Sequence, residues 1–322
     1  MNAPSALTVR VTRKAVEAED ICTFELTSTD GTPLPSFSAG SHIDVQVPGG
    51  LTRQYSLCND PAESHRYLIG VLRDAASRGG SAAMHEHVHQ GSVLSISPPK
   101  NHFALAHQAP RHLLVAGGIG VTPILCMAER LAATGADFEM HYATRSRART
   151  AFFERIQRAP FAARVRFHFD DGAPEQRLDI AALLAAQPAG THLYVCGPQG
   201  LMDAVLGAAR VSGWDDLRLH YEFFGADVQS RADDGAFDVQ LASSGRVIRV
   251  APEQTVLAAL ADAGVIVPSS CEQGVCGTCL TRVIDGVPDH RDQYLLPEEQ
   301  AANDQFTPCC SRAKSARLVL DL

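Results

Sequence analysis

The 322-residue chain nowhere holds the unbroken run of about eighteen apolar residues that a membrane-spanning helix requires, so no span of a bilayer is expected. Residues 1–16 alternate charged with apolar side chains and lack the apolar core of a secretory signal. Basic residues are outnumbered, 28 Lys and Arg against 36 Asp and Glu, for a net charge of −8. Nucleic-acid binders carry a basic face, so that class of partner is not expected. There is no internal repeat, no low-complexity tract and no Ser-His-Asp arrangement that would suggest hydrolysis. The nine cysteines are odd in number, which argues against a disulfide framework. A structural zinc site would usually need a second Cys-x2-Cys knuckle, and only one such pair is present. The expectation is a cytoplasmic protein whose thiols stay reduced.

What is present is most concentrated at Cys271-Glu272-Gln273-Gly274-Val275-Cys276-Gly277-Thr278-Cys279, with Cys309 and Cys310 side by side near the C-terminus. Four residues separate the first two cysteines and two separate the next pair, and Cys309 lies thirty positions beyond Cys279. That is the spacing of a plant-type [2Fe–2S] cluster held by four thiolates. Three sulfurs must converge from one tight loop, and Gly274 and Gly277 let the backbone curl around them. A fourth ligand from a distant segment closes the cage. Spacing favours Cys309 for that place over Cys310, which stays the alternative.

Length suits two or three domains rather than one core. In residues 1–106 apolar residues alternate with polar ones, as at Leu7, Val9 and Val11, at Cys22, Phe24 and Leu26, and at Ile43, Val45 and Val47. Further strands are expected over 52–58, 67–72 and 93–97, with Gly and Pro turns between them and one helix over 80–89. Six short strands so spaced predict an antiparallel β-barrel. Two short motifs lie within it. One is Arg53-Gln54-Tyr55-Ser56. The other is Arg78-Gly79-Gly80-Ser81, which runs into the helix and would offer backbone N–H groups and the helix dipole to an anion.

Over residues 107–225 the period changes to strands alternating with helices, which predicts an α/β domain with an open parallel sheet. The strand at 112–116 runs into Gly117-Gly118-Ile119-Gly120-Val121-Thr122-Pro123, then a helix to about residue 134. This is not the G-x-G-x-x-G fingerprint. Its weight comes from Cys196-Gly197-Pro198 at the end of a later strand, where ligands of α/β sheets bind. Residues 226–236 are polar and acidic and read as a linker. Residues 237–322 bring more strands around the cysteine loop, with eleven Asp and Glu against seven Lys and Arg, a bias that can steer a basic partner. The thirteen histidines are scattered. His85, His87 and His89 alternate along the expected helix, share no face, and read as solvated.

Taken in order, these motifs resemble the phthalate dioxygenase reductase family: a flavin barrel, a pyridine-nucleotide domain of the ferredoxin-NADP reductase superfamily, and a β-grasp ferredoxin domain. The resemblance covers nearly the whole chain. It implies that Arg53 pairs with the flavin phosphate, Tyr55 packs on the ring system and Ser56 sits near flavin N5. It implies that Gly79, Gly80 and Ser81 hold the phosphate, with Arg78 as a helper. Gly118 and Gly120 would admit the pyrophosphate, Thr122, Cys196 and Gly197 would face the nicotinamide, and Phe224 would cover the flavin. The implied cofactors are FMN, with FAD left open, NADH, and the [2Fe–2S] cluster on Cys271, Cys276, Cys279 and Cys309. The implied function is an NADH-dependent reductase passing electrons to an oxygenase component of Rieske type. A reductase for a haem-thiolate monooxygenase and a redox-sensing module are the alternatives. No residues for binding an aromatic substrate are identifiable, so the final substrate would be set by the partner.

Overall fold

In the computed structural model, residues 6–74, 79–224 and 234–322 are described. The chain divides into two compact units, Met1–Glu222 and Phe223–Leu322. Arg78 and residues 226–233 of the expected linker lie outside the described residues.

The first unit opens with β1 (Leu7–Ala18), β2 (Ile21–Ser28), β3 (Ser41–Gln46), β4 (Thr52–Ser56) and β5 (Tyr67–Leu72), then α1 (Gly80–His87), β6 (Val93–Ile96) and the short β7 (Lys100–Asn101). All pair antiparallel in the order β4-β3-β6-β1-β2-β5, with β7 on β3. A bridge between Leu57 and Ile69 brings the two ends of that order together, which makes the sheet a barrel. Val9, Val11, Phe24, Leu26, Ile43 and Val45 fill its interior with no exposed surface, the side chains of one face as the two-residue period requires. The helix ends at His87, earlier than expected. Val88 is already extended and buried, and the Lys14 ammonium donates to the Val88 carbonyl at 2.8 Å. His87 and His89 are exposed, while His85 Nε2 lies 2.9 Å from the Val71 carbonyl oxygen.

The unit continues with β8 (Arg111–Gly117), α2 (Val121–Ala133), β9 (Phe138–Thr144), α3 (Phe153–Arg158), β10 (Val165–Phe169), α4 (Ile180–Ala185), β11 (Thr191–Cys196), α5 (Gln199–Val211) and β12 (Leu219–Glu222). The five strands are parallel in the order β10-β9-β8-β11-β12. Their runs of buried Leu, Val and Met fit strands covered on both faces. The last strand begins only at Leu219, because residues 216–218 form a 3-10 turn capped by the Asp215 carboxylate and leave Leu217 exposed. The order in which the chain lays down its strands reverses between β8 and β11, so a crevice opens at their C-terminal ends.

The second unit holds β13 (Phe237–Leu241), β14 (Val247–Val250), α6 (Val256–Asp262), β15 (Thr281–Asp285), β16 (Pro288–Asp289), α7 (Pro297–Ala302), β17 (Gln305–Phe306), β18 (Arg312–Ala313) and β19 (Arg317–Leu320). Its main sheet runs β14-β13-β19-β15-β17, with β13 and β19 parallel and α6 packed on β14. This is the β-grasp arrangement. The Thr255 hydroxyl caps α6 by accepting from the Ala258 N–H. The Asp234 side chain, three residues before β13, is buried with those of Arg291 and Arg312. Arg291 donates to it at 2.9 Å and to Asp289 at 2.7 Å, and Arg312 donates to the Gly235, Ala251 and Gln254 carbonyls.

Candidate active site

The parallel register does the first part of the assembly. Cys196, the last residue of β11, pairs with Ala116 on one side and with Glu222 on the other. Three strand ends therefore set Ala116, Cys196 and Glu222 in one row, side chains on one face. The loop after β8 lies against the turn after β11 with no room between them. A methyl group on Gly120 would fall 2.2 Å from the Cys196 carbonyl oxygen and 2.6 Å from the Gly197 nitrogen. Gly118 adopts a φ of +50°, in the left-handed region. Thr122 is fully buried in the first turn of α2, its hydroxyl donating to the Ile119 carbonyl at 3.0 Å. Asp170 and Asp171 follow β10, and their N–H groups donate to the Thr144 and Arg145 carbonyls.

The barrel brings Ser56 to the same place. Its hydroxyl hydrogen-bonds the Glu222 carboxyl, and across the β3–β4 ladder it pairs with His42. His42 Nδ1 stands 3.9 Å from Glu222 Oε1. Burial pushes the Glu222 carboxyl up to about 8, with the Ser56 hydrogen bond opposing it. The same burial, with Glu222 adding to it, pushes the Cys196 thiol up, so it stays neutral. Glu222 Oε2 and His42 Nε2 are buried without a hydrogen-bond partner among the described residues. Two unsatisfied polar atoms in one place mark a site that expects a polar occupant. Glu222 and His42 were not anticipated as site residues.

The sign of the Glu222 shift gives a stability test. A carboxyl that keeps its proton to about 8 when folded, against an ordinary value of 4.5, supports folding fully below 4.5. That support is lost as pH rises toward 8. Glu222→Gln carries no such charge. Its melting temperature is expected to match the wild type near pH ~4 and to exceed it by a growing margin up to pH ~8, read by thermal melts across that range.

At the other end of the barrel, Arg53 lies across the N-terminus of α1. A methyl group on Gly80 would meet Arg53 Nε at 2.6 Å and Cγ at 2.7 Å. Gly79 has a φ of +97° as the helix N-cap, and the Ser81 hydroxyl accepts from the Asp74 N–H at 3.2 Å. A guanidinium beside a helix N-terminus fits a phosphate. Tyr55 packs against the barrel core, and its buried hydroxyl has no partner among the described residues. The chain thus brings Arg53, Gly79, Gly80 and Ser81 together at one point and Ser56, Gly120, Cys196 and Gly197 at another. Phe224 falls in the second unit, where it is half-buried.

In the second unit the cysteines contact one another in two groups, Cys271 with Cys276, and Cys309 with both Cys279 and Cys310. Cys271 hydrogen-bonds Cys276, and Cys279 hydrogen-bonds Cys309. In the first pair the contact raises the Cys271 thiol and lowers Cys276 to about 5; in the second it raises Cys309 and lowers Cys279. Two thiolates in contact repel, and a metal cation between them removes that conflict. Among the described residues no single point is surrounded by three or more His, Cys, Asp or Glu groups suited to one ion. Two irons dividing four thiolates in pairs need no such point. Cys310 also lies 3.2 Å from the Thr307 hydroxyl and 3.8 Å from that of Ser311. Gly274 and Gly277 have φ of 70° and 67°. The Tyr294 ring covers Gly277 so closely that a methyl group there would fall 2.2 Å from it.

Residues 239–314 match the family described as 2Fe-2S iron-sulfur cluster binding domain, and residues 93–219 match the dimethylamine monooxygenase subunit DmmA-like N-terminal domain. The chain is 57% identical over 305 residues to the vanillate O-demethylase oxidoreductase of Pseudomonas sp. (strain HR199 / DSM 7063), covering 95% of this chain and 96% of that one. Among solved structures it superposes on phthalate dioxygenase reductase, described as a modular structure for electron transfer from pyridine nucleotides to [2Fe-2S]. The TM-score is 0.82 and the identity 41%, over 99% of this chain and 98% of the other. The chain belongs to the phthalate dioxygenase reductase family. It is an oxidoreductase with FMN, NADH and [2Fe–2S] as its cofactors, and it delivers electrons to an oxygenase. A type IV self-sufficient cytochrome P450 monooxygenase also aligns with 98% of this reductase at 42% identity and a TM-score of 0.77, over 41% of its own length.

Proposed function

We propose that this reductase serves a Rieske-type oxygenase that demethylates a methoxylated aromatic acid, with vanillate the first candidate. Support for the partner comes from the 57% identity to a vanillate O-demethylase oxidoreductase over nearly the whole of both chains. Support for the chemistry comes from one observation above all: Ser56, Cys196 and Glu222 converge beside the Gly120 turn, at the crevice of the parallel sheet.

When bound, the flavin converts a two-electron donor into single electrons, and the cluster carries them one at a time. The chain's own residues supply position. Arg53 with Gly79, Gly80 and Ser81 would hold the phosphate, and Tyr55 would lie along the ring system. Gly118 and Gly120 let the nucleotide pyrophosphate approach the backbone. Thr122, Cys196 and Gly197 would set the nicotinamide, and the neutral Cys196 thiol adds no charge to oppose it. Ser56 would hydrogen-bond at N5, and Phe224 would cover the ring until the nucleotide arrives. Cys271 with Cys276 would hold one iron, and Cys279 with Cys309 the other. The reductase would work in the cytoplasm; separately, no helix among the described residues is long and apolar enough to cross a membrane.

A visible spectrum of the purified protein before and after anaerobic NADH tests the chemistry: flavin and iron–sulfur bands are expected, both bleached by NADH. Adding a Rieske-type vanillate demethylase component, vanillate and oxygen should then release formaldehyde. A second reading, service to a haem-thiolate monooxygenase, draws on the likeness to the self-sufficient P450. It would be favoured by reduction of such a haem protein with no transfer to the Rieske component.

A further inference from the structure

Of the four cluster cysteines, Cys271, Cys279 and Cys309 are buried and Cys276 is half-buried. The Cys276 sulfur is thus the one most open to a neighbour from outside the core, and such a neighbour is in place. The Thr278 hydroxyl stands 3.2 Å from Cys276 Sγ, a hydrogen bond that spans a single residue. Gly277 lies between them with a φ of 67°, and this turn of the backbone brings the two side chains together.

The turn is held from outside the cysteine loop. The Gln293 N–H donates to the Gly274 carbonyl at 2.9 Å. The Tyr294 ring lies over Gly277, 2.2 Å from where a first side-chain carbon would stand. The buried Asp292 carboxylate anchors both by accepting from the Tyr294 N–H at 3.2 Å and the Leu295 N–H at 2.7 Å. Residues 292–295 therefore press on the loop on either side of Cys276. Thr278 itself is exposed, so its side chain fills no core.

The direction of the hydrogen bond follows from charge. A free thiol can donate its S–H to the Thr278 oxygen, but a sulfur bound to iron has lost that proton and can only accept. The hydroxyl then turns and donates. Such a bond strengthens as negative charge on the acceptor grows, so it favours the reduced cluster over the oxidised one. The Cys271 sulfur accepts from the Gln273 N–H at 3.3 Å, but a backbone donor stays whatever side chain is present.

We propose that the Thr278 hydroxyl donates to the Cys276 thiolate and raises the reduction potential of the cluster. Thr278 is then a positioning residue that acts through Cys276. A higher potential eases arrival of the electron from the flavin and weakens its drive toward the oxygenase, so one hydroxyl divides the driving force between the two steps. The inference rests on the reading of Cys276 as a cluster ligand.

The test is an anaerobic spectroelectrochemical titration of the full-length holoprotein, with iron and flavin measured on the same samples. Thr278→Val keeps the shape of the side chain and puts a methyl group where the donor was, which also keeps water from replacing it. Its equilibrium constant for cluster reduction is expected to fall about tenfold, a potential about 59 mV more negative for a one-electron couple. The flavin titration should not move, since the residues that would hold it lie in the first unit. Thr278→Ser keeps a donor and is expected to match the wild type. A merely structural role would cost iron or stability and leave the potential of the remaining clusters where it was. Full iron with the wild-type potential in Thr278→Val, or a shift as large in Thr278→Ser, would overturn the proposal. Should Thr278→Val hold too little iron to titrate, Thr278→Ala takes its place against Thr278→Ser, with the same expected sign. Bound iron undiminished in Cys276→Ser would instead overturn the reading of Cys276 as a ligand.

Discussion

Gly120→Ala is expected to lower NADH-driven reduction by about a hundredfold or more, because a misplacement of about 1 Å at a reacting site has that cost. The added methyl group would lie 2.2 Å from the Cys196 carbonyl oxygen, 2.4 Å from its carbon and 2.6 Å from the Gly197 nitrogen. All three are backbone atoms in a packed turn and cannot swing aside as a flexible side chain would. Either the loop after β8 or the turn after β11 must move, and both line the nucleotide crevice. Overpacking of this kind also destabilises by about 1–3 kcal/mol, so the first unit should melt earlier. Iron content should not change, since the cysteines lie in the other unit. Anaerobic stopped-flow bleaching by NADH, thermal melts and iron analysis on one preparation check all three. Wild-type bleaching rates in Gly120→Ala would show that the two turns need not touch for hydride transfer.

The second large effect separates two adjacent cysteines. Cys309→Ser should lose the cluster, keep flavin, and lose NADH-driven reduction of cytochrome c while still reducing a small acceptor that takes electrons from flavin directly. Cys310→Ser should keep both iron and cytochrome c reduction. The contrast follows from placement. Cys309 contacts both Cys279 and Cys310, whereas Cys310 touches only Cys309 among the cysteines' side-chain hydrogen bonds and has the hydroxyls of Thr307 and Ser311 as its other neighbours. Equal iron loss in the two variants, measured with the visible spectrum, would remove the distinction.

The sequence announced what depends on local spacing. The cysteine loop converges because its ligands lie within nine residues of one another, and Gly118 and Gly120 stand out because a tight turn after a strand needs them. Glu222 and His42 carried no such signal. Glu222 lies beside the exposed Tyr221 and reads as an ordinary strand end. Its partner Ser56 lies in another sheet, and only the closing of barrel against parallel sheet brings them together. His42 alternates with Ile43 and Asp44 like any strand residue. No pattern within β3 tells that its neighbour across space is a buried carboxyl. Nor does the apolar Leu217 tell from sequence that it lies outside the last strand of the parallel sheet, since the Asp215 cap favours a turn there.

The buried pairing of Asp234 with Arg291 and Arg312 has a bearing on building with this protein. Anyone transplanting the iron–sulfur unit onto another reductase would choose a cut from the sequence, and the first strand at Phe237 invites one there. A graft beginning at Phe237 would leave two enclosed guanidinium groups without that carboxylate, in the segments that flank the ligand cysteines. Arg291 would keep Asp289, and Arg312 its carbonyl acceptors, so the loss is expected to fall below the ~3–5 kcal/mol of a buried charge left with no partner. A graft beginning at or before Asp234 carries its own counter-charge, so the portable cassette starts three residues before the fold does.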